Sequence, residues 1–588
     1  MDSWEKFDEA LPERECFYNE LTDRELSEQD YERVQRIFNH FNLRNLGELQ
    51  DLYVKQDVLL LADVVQNFRE MCLSSYKLDP LHYPTAPSLS WDACLRKTGA
   101  ELELLTDVDM YMMLEKSIRG GLTMITHRMV TANNECLKEY NQNEEKVSLF
   151  YTDANNLYGY SMCDNLPYDG FEWVNPGEID ISELNKFDLE GEKGMILEVD
   201  LKIPESIHDF TSDYPLAPEK LLIEDHLISP VSKDLLNKNG VVVNGVKKPL
   251  KHNVRVKLTP NLFNKQHYVV HIKNLMYYLQ KGAEITKIHR IIRFNQQKWL
   301  KVYVDFNTEK RCLAVSDFEK SFFKLLINSI FGKLMENVRK YKNVHLISSG
   351  RQHRLYTSKP QFKRFKIHSE DLVMVELEQT NVTLNKPIYC GFTVLELSKL
   401  HMYKFHYEVM KPRFEGLKLC FTDTDSLLYA VATDNFYRDI ECIKDEFDFS
   451  NYPKNHPLYS VANKAVPGKF KDETASFAIK EFIGLRAKLY SILLDQPIVT
   501  SGKNIIEKRA TAGVKTSVAA KYLQHNMFRE VFQHQNRMDI TQQLFVSENH
   551  QIFTKNKTRI GLSAFDDKRY ILSDLKTTLP YGHYSLNT

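Results

Sequence analysis

Alternation of apolar and polar residues predicts strands that end in carboxylates. Val147, Leu149 and Tyr151 recur at the two-residue period of a strand that delivers Asp153 at its end. Further along, the segment KLCFTDTDSLLYA (418–430) has the pattern of two apolar strands joined by a polar turn. Each strand therefore brings an acid to the end of an otherwise apolar element.

Two acids lie close together in the predicted hairpin. Leu419, Phe421 and Asp423 share one strand face, and the turn re-aims Asp425 beside Asp423. Close carboxylates raise each other's pKa unless a cation neutralises them. Oxygen ligands without a nearby Cys or His cluster favour Mg²⁺ or Mn²⁺ over zinc. Asp-Thr-Asp is also good turn chemistry, so the hairpin alone leaves a purely structural role open.

Helical periodicity marks other segments. A spacing of 3.6 residues predicts helices across 25–75, with Gly47 breaking the pattern. Further helices are predicted from Ser316 to about Arg339 and over about 391–410, followed after the hairpin by a strand at AKLYSILL. The carboxyl-terminal region is expected to consist of helices and turns.

The helix that begins at Ser316 carries a cationic stripe. Steps of four, four and three residues place these residues on one face: Lys320, Lys324, Asn328 and Phe331. The opposite face is expected to bury Phe322, Leu325 and Leu326. Two lysines, an amide and an aromatic ring suit a triphosphate lying along a helix with a base at its end.

Composition indicates a folded protein of several domains. The chain has 588 residues, of which 43% are hydrophobic and 27% charged, so roughly three to five domains are expected. Residues 1–60 carry 15 acids and 7 bases, whereas 501–588 carry 13 bases and 7 acids. From Lys333 to Lys366 there are 10 Lys or Arg and a single acid. That run suits either phosphate contacts or a solvated surface.

The cysteine pattern and the amino-terminal sequence argue against disulfide-rich, zinc-binding, secreted and membrane-spanning proteins. The 9 cysteines form no C-x-x-C pair, so neither a disulfide framework nor a zinc site is predicted. The start MDSWEKFDEA has no signal-peptide pattern, and the apolar runs are too short and too charged to span a bilayer. We expect a soluble intracellular protein without a membrane partner, in the nucleus if the host is eukaryotic.

Three ordered segments resemble motifs A, B and C of family B DNA polymerases. DANNLYGY, starting at Asp153, resembles D-x-x-S/N-L-Y-P, KLLINSIFGK resembles K-x-x-x-N-S-x-Y-G, and FTDTDS resembles Y-x-D-T-D-S. AKLY resembles the K-x-Y motif. Segments such as SDYPLAPEK and LSAFDDKRYIL are similar to the protein-primed branch, in particular to polymerases of Polinton (Maverick) transposons and related viruses. This resemblance runs over essentially the whole chain.

The resemblance implies an α+β right-hand polymerase with palm, fingers and thumb and with protein-primed-type insertions. It implies two Mg²⁺ or Mn²⁺ ions, with Asp153 and Asp425 as ligands and Asp423 as a ligand or support. The nucleotide (dNTP) site would comprise these residues: Tyr158, Lys320, Lys324, Asn328 and Phe331. The nucleic-acid contacts would involve Gly120, Gly121, Thr424, Ser426, Lys488 and Tyr490, with Lys488 and Tyr490 on one strand face gripping the primer end.

The same resemblance implies a domain order. The expected segments are 1–80, an exonuclease remnant; 81–125, a linker; 126–200, palm with motif A; 201–305, a terminal-protein-type insertion; 306–340, fingers; 341–380, a second, basic insertion; 381–500, palm with motif C and K-x-Y; and 501–588, thumb.

The chain departs from the family pattern at several positions. Gly159 replaces the family's proline after Tyr158, the tyrosine that acts as the family's steric gate against a 2′-hydroxyl. Phe331 replaces the tyrosine of motif B, and Ile118 stands where the linker motif has tyrosine. YVKQDVLLLAD resembles the third exonuclease motif, with Tyr53 and Asp57 on one helix face, but no D-x-E strand precedes it. A lone aspartate cannot assemble a two-metal nuclease site. We therefore expect no proofreading, in a chain that represents the carboxyl-terminal part of a longer polymerase or a truncated copy.

The sequence thus predicts template-directed DNA synthesis from a primer–template and dNTPs. The primer hydroxyl would belong to DNA or to a terminal priming protein. Two other hypotheses stay open: a catalytically inactive nucleic-acid-binding remnant of a mobile element, and an exonuclease.

Overall fold

The structure, a computed structural model, describes residues 4–19, 21–22, 24–243, 246–500, 503–548 and 551–586. Its α-helices are α1 Glu28–His40, α2 Leu46–Tyr76, α3 Ala86–Thr98, α4 Val108–Ser117, α5 Leu157–Met162, α6 His208–Thr211, α7 Pro230–Lys238, α8 Ile272–Gln280, α9 Lys301–Leu313, α10 Asp317–Leu334, α11 Gly350–Thr357, α12 Ile388–Lys404, α13 Lys411–Arg413, α14 Phe436–Glu441, α15 Thr516–Tyr522 and α16 His525–His534. A π-helical turn, Phe405–Met410, joins α12 to α13. Within these residues, no helix combines the length and the apolar character that a bilayer crossing requires.

The strands are β1 Thr123–Ile125, β2 Met129–Thr131, β3 Val147–Ala154, β4 Leu166–Val174, β5 Lys193–Lys202, β6 Glu219–Leu222, β7 Val241–Val243, β8 Val246–Lys248, β9 Val256–Thr259, β10 Lys265–His271, β11 Glu284–Gln297, β12 Asn343–Ile347, β13 Phe362–Ser369, β14 Leu372–Leu377, β15 Lys418–Asp423, β16 Ser426–Ala432, β17 Phe447–Asp448, β18 Phe470–Asp472, β19 Ile479–Arg486, β20 Leu489–Thr500, β21 Lys503–Thr511, β22 Arg537–Glu548, β23 Gln551–Ser563, β24 Tyr570–Ile571 and β25 Thr578–Leu579. Helices and mainly antiparallel sheets together confirm the α+β prediction.

The central sheet has the strand order β1-β15-β16-β3-β18-β17. β15 and β16 form the predicted hairpin, and β16 pairs antiparallel with β3 in unbroken register from Ser426↔Asp153 to Ala432↔Val147. All neighbours are antiparallel except β17 and β18, which are parallel. The buried residues of β3 and β16 explain this position, since strands covered on both faces need apolar side chains on both.

Helix α12 is enclosed by other elements, since it packs against α4, α5, α8, α10 and strand β4. Its residues are apolar around nearly the whole circumference, and almost all of them are buried, as expected for a helix enclosed by other elements. Its buried Lys399 and Glu396 form an ion pair of 3.3 Å, and Arg119 lies 3.6 Å from Glu396. The helix predicted over about 391–410 is confirmed, with its last turn widened to π geometry.

A second sheet, of order β10-β5-β11-β4, lies in the segment between α5 and α9. Strand β5 pairs with both β10 and β11. The domain boundary expected at residue 200 falls within β5, so the sheet joins residues from both sides of it. Residues 343–377 form a separate three-stranded sheet, β12-β14-β13, with a small core around Ile347, Val375 and Leu377.

The prediction of helices and turns at the carboxyl terminus is wrong in part. Residues 516–534 are mainly helical, but β21 extends the sheet β2-β19-β20-β21, and β22 and β23 form a long two-stranded hairpin. Strand β23 is exposed along most of its length. A strand without a buried face lacks the apolar alternation from which strands are predicted.

The prediction that Gly47 breaks the helical pattern is also wrong. Gly47 lies in the first turn of α2, and the break falls at Asn45, whose side-chain oxygen accepts a hydrogen bond from the backbone N–H of Glu48. Asparagine is a favoured helix N-cap because it satisfies an otherwise unpaired N–H. Helix α2 therefore starts at Leu46, one residue before the glycine.

Asp213 joins distant segments to the central sheet. Its carboxylate accepts hydrogen bonds from His127 Nε2 at 3.3 Å and from the backbone N–H of Leu419 at 3.0 Å. Burial by itself would raise the pKa of Asp213, but the hydrogen bond and charge of His127, the charge of Arg569 and the Leu419 N–H lower that pKa to about 2. The charged form of Asp213 is therefore favoured in the folded state.

We predict that Asp213→Asn lowers the free energy of unfolding at pH 7 by about 2 kcal/mol. Because the pKa is lower in the folded state, the carboxylate stabilises the fold above its unfolded value near 3.8, and this contribution disappears as the pH falls through about 2. Urea titrations between pH 7 and pH 2 measure both effects. Asp371→Asn, at an exposed turn, is the control, and equal stability of the two variants at pH 7 would contradict the prediction.

Candidate active site

Strand pairing brings the three predicted acids to one end of the central sheet. Ser426 pairs with Asp153 on one side and with Asp423 on the other. The carbonyl of Asp425 accepts a hydrogen bond of 2.8 Å from the backbone N–H of Ala154. Asp153 is therefore a neighbour in space of Asp423 and Asp425, although it is remote from them in sequence.

The turn between β15 and β16 has a strained conformation. Thr424 has a φ of 67°, which is unusual for a β-branched residue. Its N–H donates to the carbonyl of Leu122, and the N–H of Asp425 donates to the carbonyl of Asp423, both at 2.8 Å. These hydrogen bonds hold the backbone so that Asp425 is aimed beside Asp153.

Gly121 makes room for this turn. A Cβ at position 121 would contact Cγ2 and Oγ1 of Thr424 and lie 2.8 Å from its Cβ. A Cβ at Gly120 would meet no atom within 4 Å. The structure thus gives Gly121 a packing role under the turn, while nucleic-acid contacts of either glycine stay a prediction.

The two central acids are costly to ionise together. Burial, the charge of Asp425 and then that of Glu473 raise the pKa of Asp153 to about 8, although Lys324 and Lys508 act in the opposite direction. Burial also raises the pKa of Asp425. A cation between the two carboxylates would relieve both the desolvation and the repulsion.

The donor set fits a divalent cation that completes its coordination with substrate and water. Two half-buried carboxylates, Asp153 and Asp425, offer hard oxygen ligands, as Mg²⁺ prefers. The third acid, Asp423, forms an ion pair of 2.9 Å with Lys488. Throughout the part of the chain that the structure describes, no three or more His, Cys, Asp or Glu side chains converge closely enough to hold a metal ion.

Helix α10 places its cationic stripe beside these acids. Ser316 and Glu319 form a capping box that fixes the start of the helix. The side chains of the stripe are exposed or half-buried, and Lys324 is close enough to lower the pKa of Asp153. The predicted buried face is correct for Phe322 and Leu326 but wrong for Leu325, which is 48% exposed. Phe323, Ile327 and Ile330 complete that face instead.

Lys320, at the amino-terminal end of the stripe, lies 3.3 Å from Asp317. Both side chains are well exposed, so this ion pair is weak and readily exchanged for another anion. Asn328 is exposed on the same face of α10.

Tyr158 and Phe331 face each other. Their rings stack with centroids 4.1 Å apart and planes 11° apart. Tyr158 lies on α5, whose N-cap Asn156 accepts a hydrogen bond of 3.3 Å from the N–H of Gly159. A Cβ at Gly159 would lie 2.8 Å from Asn156 Oδ1, so glycine rather than a larger residue fits this cap. Motif A and motif B thus meet through an aromatic stack.

Lys488 and Tyr490 do not share a strand face as predicted. Lys488 lies in the β19–β20 turn with a φ of 59°, and only Tyr490 belongs to β20. The Tyr490 ring stacks 4.4 Å from Phe421, and its hydroxyl lies 3.4 Å from that of Tyr151. Both residues nevertheless border the acids, because Lys488 pairs with Asp423.

The remaining predicted site residues differ from one another in burial. Ser426 is buried at the start of β16, with its Oγ 3.5 Å from the carbonyl of Asp423. Tyr53 and Asp57 lie on α2, both exposed, with Tyr53 60% exposed. Glu473 and Lys508 also border the site, yet sequence reasoning missed them because neither belongs to a recognisable motif.

Comparison with known proteins identifies the family. Residues 47–412 match the family described as DNA polymerase type B, organellar and viral. The match covers more than half of the chain, so the chain belongs to the organellar and viral type B DNA polymerases. The right-hand polymerase fold expected from the motifs is thereby confirmed. No curated protein matches the chain.

Several solved structures of phi29 DNA polymerase are similar to this chain. The complex with primer-template DNA, a post-translocation binary complex, has a TM-score of 0.46 and 13% identity, covering 81% of this chain and 67% of that chain. The ternary complex with primer-template DNA and incoming nucleotide substrates has a TM-score of 0.46 and 13% identity, with 81% and 68% covered.

We predict that Gly121→Ala destabilises the protein by about 1–3 kcal/mol, because the added methyl group overpacks the turn at Thr424. Gly120→Ala is the matched control and should be close to neutral, since open space surrounds it. Thermal unfolding of both variants measures the difference. Equal melting temperatures would contradict the prediction, because they would show that the turn accommodates the methyl group without loss of stability.

Proposed function

We propose that this chain catalyses template-directed addition of dNTPs to a primer hydroxyl. The observation that carries the proposal is the half-buried pair of Asp153 and Asp425 beside Lys324 of α10. Two acids whose joint ionisation is unfavourable without a cation, next to a lysine-bearing helix, suit phosphoryl transfer, in which catalysis is mainly positioning and charge stabilisation.

Asp153 and Asp425 would hold Mg²⁺ or Mn²⁺, with Asp423 in support. When bound, two such ions lower the pKa of the primer hydroxyl and stabilise the leaving pyrophosphate. The carboxylates of this chain would orient the reacting groups, and Asp153, whose raised pKa favours its protonated form, would release its proton when the cation binds. Asp423, paired with Lys488, holds that lysine at the border of the site.

The incoming nucleotide would lie along α10. Lys324 and Lys320 would offset the charge of the β and γ phosphates, and Asn328 would border the new base pair. Phe331, with Asn328, would flank the new base pair, and the ring of Tyr158, stacked on Phe331, would exclude a 2′-hydroxyl on the sugar side. Their stacked contact supports this assignment because each ring fixes the other.

The nucleic-acid substrate would follow the cationic elements around the acids. Lys488 and Tyr490 would hold the primer end, together with Thr424 in the β15–β16 turn and Ser426 at the start of β16. We propose palm segments around the central sheet, fingers at residues 306–340 around α10, and a thumb at residues 501–588. Residues 201–305 and the basic segment 341–380 would be protein-primed-type insertions, serving a priming protein in replication of a mobile element or virus.

We further propose that the chain synthesises DNA without degrading it. Tyr53 and Asp57 lie on the exposed surface of α2, and a two-metal nuclease needs several converging acids. Retention of exonuclease activity would therefore require residues other than those assigned here.

Asp425→Asn is expected to abolish primer extension with Mg²⁺ and four dNTPs, lowering the rate by at least about 10³-fold, since a metal ligand is lost. Gel electrophoresis of a 5′-labelled primer measures the rate of extension. Asp434→Asn, a matched change at an 85% exposed side chain, should extend normally.

Wild-type activity in Asp425→Asn would refute the metal assignment. DNA binding without synthesis by the parent chain would favour the inactive remnant instead. Degradation of a labelled 3′ end that survives Asp425→Asn but not Asp57→Ala would reveal an exonuclease.

Tyr158→Ala is expected to admit ribonucleotides, raising the rNTP-to-dNTP incorporation ratio by about 10-fold or more, because the ring no longer meets the 2′-hydroxyl. Tyr158→Phe keeps the ring and its stack on Phe331, and it should discriminate like the parent. Single-nucleotide incorporation kinetics give the ratio. Unchanged discrimination in Tyr158→Ala would remove the gate assignment.

A further inference from the structure

Two sheets meet behind the acids. The central sheet carries Asp153 and the β15–β16 turn, whereas the sheet β2-β19-β20-β21 carries Lys488 and Tyr490. Apolar rings hold the sheets together, with Phe421 stacked on Phe482 at 5.4 Å and on Tyr490 at 4.4 Å. Such a contact resists separation of the sheets, but apolar packing is non-directional and does little to fix their lateral register.

Glu473 is fixed to the central sheet. It directly follows β18, and its N–H donates to the carbonyl of Tyr151 at 2.9 Å, two residues before Asp153. The preceding residue, Asp472, is buried and accepts hydrogen bonds from the backbone N–H of Thr474 at 2.7 Å and from the hydroxyl of Tyr452 at 2.7 Å. The backbone of Glu473 is therefore rigidly placed beside the strand of Asp153.

Lys508 reaches Glu473 from the other sheet. Lys508 pairs across β21 and β20 with Ile492, two residues from Tyr490. Its ammonium donates to Glu473 Oε2 at 3.1 Å and also to the carbonyl oxygen of Glu473. The same ammonium lies 5.8 Å from the ring of Tyr151. One lysine thus binds both the side chain and the backbone of a residue fixed to the acid-bearing sheet.

The contact between Lys508 and Glu473 is directional and close to the reacting centre. A second directional contact, between the hydroxyls of Tyr151 and Tyr490 at 3.4 Å, lies beside it. The Glu473 carboxylate is near enough to Asp153 to be one of the charges that act on it. Small displacements of this pair would therefore shift Tyr490 and Lys488 relative to the acids.

We propose that Glu473 and Lys508 are positioning residues that hold the primer-binding strand β20 in register with Asp153 and Asp425. This inference rests on the proposed function and adds to it the residues that align the primer end. The ion pair aligns the sheet that would bind the metal with the sheet that would bind the primer. These two sites must be aligned to within a fraction of an ångström. Misplacement of about 1 Å costs on the order of 100-fold in rate.

A positioning role differs from a stabilising role in a measurable way. The side chains of Lys508 and Glu473 are 26% and 35% exposed, and partly exposed ion pairs contribute little to stability. Loss of the pair should therefore leave the melting temperature nearly unchanged. Its effect should fall on the rate of extension rather than on the affinity for the duplex.

The experiment compares Lys508→Met and Glu473→Gln with Lys508→Arg in the full chain. Lys480→Met is the matched control, since Lys480 lies on the neighbouring β19, forms an ion pair of 2.7 Å with Glu139 and is 30% exposed. Single-turnover extension at saturating dNTP gives the rate, and fluorescence anisotropy gives the Kd for primer–template. 2-Aminopurine at the primer 3′ end reports placement of that end without requiring synthesis.

Lys508→Met and Glu473→Gln are expected to slow extension by about 10- to 100-fold and to change the 2-aminopurine signal, with Kd and melting temperature close to those of the parent. Lys508→Arg should recover most of the rate, and Lys480→Met should behave like the parent. Parental rates in Lys508→Met, an Arg variant as slow as the Met variant, or a loss confined to Kd and melting temperature would each overturn the inference. A parent chain that makes no DNA would count against the proposed function, while the 2-aminopurine comparison would still decide the alignment role.

Discussion

The pairing of β3 with the β15–β16 hairpin is the interaction on which the rest of the site depends. It brings Asp153 next to residues 270 positions away, because Ser426 is the cross-strand partner of both Asp153 and Asp423. The strands are apolar on both faces and buried, so a register slip would expose apolar residues and bury the acids elsewhere. Burial thus fixes the register, and the register fixes the acids.

The same burial creates the electrostatic character of the site. In water two carboxylates ionise independently, but here desolvation and mutual repulsion raise the pKa of Asp153 to about 8. Cations of the protein lie around the acids rather than between them, with Lys488 on Asp423 and Lys324 on α10. A positive charge between the carboxylates of Asp153 and Asp425 would therefore be favourable, and a divalent ion that binds together with a nucleotide would supply it.

Glycine and αL residues adjust the backbone where the acids are aimed. Gly121 leaves space for the strained Thr424, and Asn156 caps α5 through the N–H of Gly159. Both adjustments concern residues next to the functional side chains, where local strain is compensated by surrounding hydrogen bonds. The departure at Gly159 from the family's proline is therefore compatible with an ordered helix start that carries Tyr158.

The sequence by itself determined the strands that end in Asp153 and Asp423, the helix of Lys324 and Asn328 and the polymerase family, because period and motif spacing are local properties. The tertiary structure alone decided that Lys488 lies in a turn and pairs with Asp423, that Leu325 is exposed, and that β22 and β23 form a long hairpin. It also placed Glu473 against Lys508, residues without a motif. Contacts between remote elements depend on how sheets pack and which faces they bury, and no local pattern contains that information.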